Sequence, residues 1–177
     1  ALFLTTCATT FYAGCYSGGS FSLIDGAMFS SGIMGILLVH EMAHFLAARK
    51  HRVAASLPYF IPMPLPPIGT FGAVIQMEQA PETRAAVLDI GVSGPLAGML
   101  VAVPVCLLGL MHSEVQAISD LPQGAIMEGN SLLYLLLKAW ARPDLAAGYD
   151  VFLHPLAWAG WIGLLVTSLN VRTAGQL

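Results

Sequence analysis

The stretch that decides the fold is Ala27-Met-Phe-Ser-Ser-Gly-Ile-Met-Gly-Ile-Leu-Leu-Val-His40-Glu41-Met-Ala-His44-Phe-Leu-Ala-Ala48. Its 22 residues make about 33 Å of α-helix, enough to cross the hydrocarbon core of a bilayer. Residues four apart share a helix face, so His40 and His44 can hold one metal ion between their imidazoles. Glu41 points to one side of that pair, where a metal-bound water would sit, which is the place of a general base. Each ionisable group in a membrane span costs about 2–3 kcal/mol even on the lenient insertion scale, so three in one apolar run point to function. The pattern H-E-x-x-H therefore predicts a zinc site with His40 and His44 as ligands and Glu41 as the base. The competing class is a transporter or proton relay that uses the same His/Glu cluster for ions.

The rest of the chain fits a membrane setting. Of the 177 residues 56% are hydrophobic and 10% are charged, against about 25% charged in soluble domains. So few charges cannot cover the surface of a soluble domain of this size. The net charge of −3 says little about partners, and no basic block points to nucleic acid. No repeat divides the chain, which is expected to form one membrane core over residues 1–177, cut at both ends. Cys7, Cys15 and Cys106 lie in apolar runs without CxxC spacing and read as small buried hydrophobes.

Outward from the central helix, Ala1–Tyr16 reads as the end of a transmembrane helix. Ser17-Gly-Gly-Ser20 and Asp25-Gly26 read as a break and a turn. Pro58, Pro62, Pro64, Pro66 and Pro67 forbid a helix beyond Ser56, and Gly69–Met77 alternates like a strand or hairpin. Such apolar, non-helical backbone is tolerated at membrane depth only against protein or a wet cavity, which places it beside the metal helix. Ala85–Met111 is the next span, with Gly94 and Gly98 spaced for close approach of a second backbone and with Pro95 and Pro104 expected to bend it. Asn130–Trp140 is too short to span and reads as a re-entrant helix, and Val151–Leu169 is the last span. The fold class is thus an all-α polytopic membrane protein. It has about four transmembrane helices, a short re-entrant helix and a membrane-associated β-hairpin or extended segment.

Arg49, Lys50, Arg52, Arg84 and Arg172 fall on one side in this topology, and Lys138 and Arg142 on the other. By the positive-inside rule the first side is cytoplasmic or its organellar equivalent, and the His/Glu motif lies a turn or two beneath it. The remaining ionisable candidates for the metal are weaker. His51 belongs to the basic cluster, His112 and His154 fall on the far side, and Asp89 is near the right depth.

Three features in this order resemble the site-2 protease family of intramembrane zinc metalloproteases. They are the HExxH motif in a membrane-length helix, Gly94-Pro-Leu-Ala-Gly98, and a final span ending Asn170-x-x-x-x-Gly175-x-Leu177. Ser56-Leu-Pro-Tyr-Phe-Ile-Pro62, Gly69-Thr-Phe-Gly-Ala73 and Leu88-Asp-Ile-Gly91 are similar to its bacterial and plastid branch. The resemblance implies Zn2+ on His40 and His44, water activation by Glu41, and cleavage of transmembrane protein substrates in the lipid bilayer. It places the third ligand in a Leu-Asp-Gly motif whose Asp would follow Leu177, and it puts Asn170 beside the substrate. Arg172 and Thr173 stand where the family has an apolar residue and Pro. An open strand edge would receive unwound substrate through Gly69, Phe71, Gly72 and Ala73. The implied location is a multi-pass membrane, the bacterial inner membrane or a plastid membrane, with the site near its cytoplasmic side.

Overall fold

The computed structural model describes residues 1–17, 20–120, 129–146 and 148–174. Their order is α1 (Leu2–Gly14), α2 (Leu23–Lys50), β1 (Tyr59–Pro62), β2 (Thr70–Val74), α3 (Arg84–His112), β3 (Glu114–Ala117), a 3-10 turn, α4 (Leu132–Ala141), β4 (Tyr149–Phe152) and α5 (Pro155–Ala174). Among the described residues, α2 and α3 are the two helices long and apolar enough to cross a membrane.

Helix α2 is 28 residues long and starts earlier than the apolar run suggests. Ser22 caps it by accepting a hydrogen bond from the Asp25 amide at 3.2 Å. Asp25 therefore sits in the first turn, where its charge suits the positive end of the helix dipole, and the expected Asp25-Gly26 turn is helix instead. Arg49 and Lys50 occupy the last turn, at the negative end.

The core lies on two sides of α2. On one side Phe29, Ile33 and Leu37 pack with Ala13 of α1, Phe60 of β1 and Ile162 of α5. On the other, Ile36 joins Ala102, Cys106 and Leu110 of α3, Tyr134 of α4 and Leu164 of α5. The outward faces are apolar too: Leu4, Leu46, Leu88, Leu100 and Leu132 are all exposed, as a lipid-facing surface requires. Cys15 and Cys106 are buried and Cys7 is half-buried, in keeping with their reading as small hydrophobes.

Strands β1 and β2 pair antiparallel, with Phe60 opposite Ala73 and Pro62 opposite Thr70, and a register shift lies between these pairs. The ribbon continues irregularly to Ala55 and Met77. The prolines that exclude helix thus leave a hairpin packed on α1 and α2. A second pairing, β3 with β4, was not anticipated: Val151 stands opposite Val115, and helix α5 begins only at Pro155. Val151 and Phe152 suit a strand as well as a helix, and Pro155 is pre-set for a first helical turn. Beside this pairing Lys138 of α4 forms an ion pair with Asp150 of β4.

Candidate metal centre

His40, Glu41 and His44 lie in the second half of α2, with His40 at 1% and Glu41 at 4% exposure. The helical spacing brings the two imidazoles edge to face, their centroids 4.9 Å apart. Their Nε2 atoms face each other at 3.2 Å. Two imidazole nitrogens bound to one tetrahedral ion at about 2.0–2.1 Å lie about 3.3–3.4 Å apart, so the pair has the spacing that a shared cation needs.

Helix α3 sets the state of one ring. His44 Nδ1 lies 2.6 Å from the carbonyl oxygen of Ile90. A carbonyl only accepts, so His44 donates from Nδ1, and in the neutral ring Nε2 then carries the lone pair that a metal ion would need. Ser93 also donates to the Ile90 carbonyl, at 2.8 Å, which joins one turn of α3 to the ring.

The rings fit because α3 has glycine opposite each. A Cβ on Gly94 would fall on the imidazole of His44. A Cβ on Gly98 would come within 2.8 Å of His40 Nδ1 and 2.6 Å of Thr167 Cγ2 of α5. The Gly94/Gly98 spacing was expected to admit a second backbone. It admits the two histidine side chains instead. Close backbone approach occurs elsewhere, at Gly109 against Ala157 and at Gly160 against Cys106. Gly32 meets Ala159 of α5, while a Cβ on Gly35 would meet nothing within 4 Å. Ile90, Gly98 and Thr167 are thus parts of the site that reading the sequence alone did not assign. The only sequence signal for them was the i, i+4 glycine pair, matching the i, i+4 histidines.

Asp89 goes elsewhere. His51 Nε2 donates to its carboxylate at 2.8 Å, and Lys50 Nζ lies at 3.8 Å, on the surface where α2 ends and α3 begins. Next to them a cleft of about 400 Å³ opens between α2 and α3, lined by Ala47, Leu88, Ser93 and Leu96 among others. His112 and His154 lie side by side at the far end of α3, their ring centroids 5.9 Å apart and the planes tilted by 46°. Among the described residues no group of three His, Cys, Asp or Glu side chains forms a metal site.

The proposed substrate residues are spread along the hairpin. Gly69 is in its turn with φ +78, and Gly72 has φ +98 with open space where a Cβ would be. Phe71 is 72% exposed, and Ala73, opposite Phe60, packs against the core. The Gly72 amide donates to Thr70 Oγ1 at 3.0 Å. Asn170 falls within α5, but its side chain lies outside the described residues, as does Leu177.

Comparison with known proteins fits this geometry. The family model described as Peptidase family M50 matches residues 28–172. "Probable zinc metalloprotease EGY1, chloroplastic" of Arabidopsis thaliana is 37% identical over 161 residues, covering 89% of this chain and 29% of its own length. The rice protein of the same name (Oryza sativa subsp. japonica) is 36% identical, covering 82% of this chain and 25% of its own. "Probable zinc metalloprotease EGY2, chloroplastic" of Oryza sativa subsp. indica is 32% identical over 87% of this chain and 27% of its own length. The chain thus spans less than a third of the length of these relatives. No solved structure matches it.

Proposed function

Because the chain belongs to peptidase family M50, the site-2 protease family, we propose that it is the core of a zinc-dependent intramembrane endopeptidase that cuts transmembrane segments of membrane proteins. The observation that carries this reading is the pair of Nε2 atoms 3.2 Å apart on a membrane-length helix. The names of the relatives supply the metal, zinc, and they supply the plastid as the compartment. Nothing in them supports the bacterial inner membrane, or ion transport by the His/Glu cluster.

His40 and His44 would hold the ion, and the Ile90 carbonyl keeps His44 in the tautomer that can do so. Zinc, when bound, polarises the scissile carbonyl and makes water a stronger acid. Glu41, beside the pair on the same helix, takes the proton from the attacking water and can pass it to the leaving amine. Two protein ligands are fewer than the three usual in a catalytic zinc site. An Asp following Leu177 is the proposed third.

A transmembrane helix hides its carbonyls in hydrogen bonds, so substrate has to unwind before it is cut. The hairpin edge at Gly69, Phe71, Gly72 and Ala73 would receive the unwound segment as an added strand, with Asn170 alongside. In this arrangement residues 1–177 form one membrane core. Helices α2, α3 and α5 would span it, α1 would be the end of a further span, α4 would be re-entrant, and the motif would lie near the organellar equivalent of the cytoplasmic side.

The test compares Glu41→Gln with His40→Ala and His44→Ala in the full-length protein. Glu41→Gln should keep stoichiometric zinc and lose cleavage of a model transmembrane substrate, while either His variant should lose both. Zinc retained in the double His variant, or normal cleavage by Glu41→Gln, would refute the assignment.

A further inference from the structure

Helix α1 takes no part in the chemistry above, yet it holds the hairpin. Thr9 Oγ1 lies 2.7 Å from the carbonyl oxygen of Gly69 in the hairpin turn. The hydroxyl has one proton, and the Thr5 and Thr6 carbonyls of its own helix are farther, at 3.2 and 3.1 Å. The Gly69 carbonyl is therefore its best acceptor. That same carbonyl accepts from the Met63 amide at 3.1 Å, the bond that closes the turn.

Backbone meets backbone at this point. A Cβ on Gly69 would stand 2.5 Å from Thr9 O and 2.7 Å from Thr10 Cα, and the φ of +78 is itself one that glycine tolerates best. A second hold lies on β1, where the Phe3 ring meets Phe60 edge to face at 5.0 Å. Helix α1 is in turn keyed to the metal-bearing helix, because Thr10 Oγ1 and Ser30 Oγ share a buried hydrogen bond of 2.8 Å. Ser30 precedes His40 by ten residues on the same helix, about 15 Å along its axis. The chain of contacts runs from the hairpin turn through Thr9 and Thr10 to the helix of His40 and His44.

We propose that Thr9 is a positioning residue for substrate: through Gly69 it fixes the receiving edge of the hairpin relative to the histidine pair. The role rests on the proteolytic reading. It predicts a defect in binding that leaves the metal and the chemical step intact. A contact that only stabilised the fold would lower activity and zinc content together.

The experiment uses the zinc-loaded full-length protein in lipid nanodiscs. Thr9→Val keeps the shape and removes the hydroxyl, whereas Thr9→Ser keeps the hydroxyl. Hydrogen exchange is read at the Met63 amide, and KM and kcat are measured on a model transmembrane substrate with Glu41→Gln as the blank. In Thr9→Val, Met63 should exchange faster and KM should rise roughly two- to tenfold, the range that one lost neutral hydrogen bond supports. Zinc content and kcat should hold, and Thr9→Ser should restore both exchange and KM. An unmoved KM in Thr9→Val refutes the role, and so does a fall in kcat together with zinc. A wild type that cuts nothing refutes the proteolytic reading and this role with it. An active wild type with an insensitive Thr9→Val refutes the role alone.

Discussion

Gly98→Ala puts one methyl group between two helices that have no room for it. Its Cβ would stand 2.8 Å from His40 Nδ1 and 2.6 Å from Thr167 Cγ2, where ordinary contact begins at 3.4 Å. The shortfall is about 0.6 Å toward His40 and about 0.8 Å toward Thr167, on opposing helices. Moving away from one neighbour presses the methyl into the other, so α2 and α5 have to separate from α3. Overpacking of this kind costs about 1–3 kcal/mol of stability. The effect on metal should exceed the effect on fold, because ligand distances tolerate only about 0.2 Å of displacement. We expect zinc affinity to fall about 10- to 100-fold, the size found when the support of a ligand is disturbed. The assay is competition with a chromophoric chelator, paired with thermal unfolding of the metal-free protein. Gly35→Ala is the control: it adds a methyl on α2, the helix of the histidine pair, where nothing lies within 4 Å. It should keep zinc affinity and gain about 0.5–1 kcal/mol from helix propensity. Wild-type zinc affinity in Gly98→Ala would refute the idea that glycines on α3 make room for the histidine rings.

Gly160→Ala should lower thermal stability by at least about 1–3 kcal/mol, because its Cβ would lie 2.5 Å from the backbone of Cys106, which cannot swing aside as a side chain can. Zinc affinity should change less than in Gly98→Ala, and the reverse order would contradict the packing described. Asp150→Asn removes the partner carboxylate of Lys138, whose side chain is 10% exposed. The loss should be about 1–3 kcal/mol, below the figure for a fully buried pair because Asp150 is partly open to solvent. An unchanged melting temperature in Asp150→Asn would show that the α4–β4 contact does not depend on charge.

The residue order alone determined the pairing at the centre of the candidate site. His40 and His44 are four apart in a helix, and that spacing brings two nitrogens together whatever surrounds the helix. The prolines between Pro58 and Pro67 likewise exclude a helix by covalent geometry. The positions of the long helices followed from the lengths of the apolar runs. What lies across from each residue was not legible, because α2 and α3 are apolar on every face and hydrophobic periodicity then names no inward side. The Gly94/Gly98 pair announced close approach without saying whether backbone or imidazole would approach. Only the packing of α3 on α2 decided for His44 and His40. Asp89 looked free to reach a metal until the helix ends met and His51 took it. The pairing of β3 with β4, and of the Gly69 carbonyl with Thr9, joins residues 32 or more positions apart. Such contacts depend on where whole elements dock, and that is set by the sum of many weak packing terms that no local pattern records.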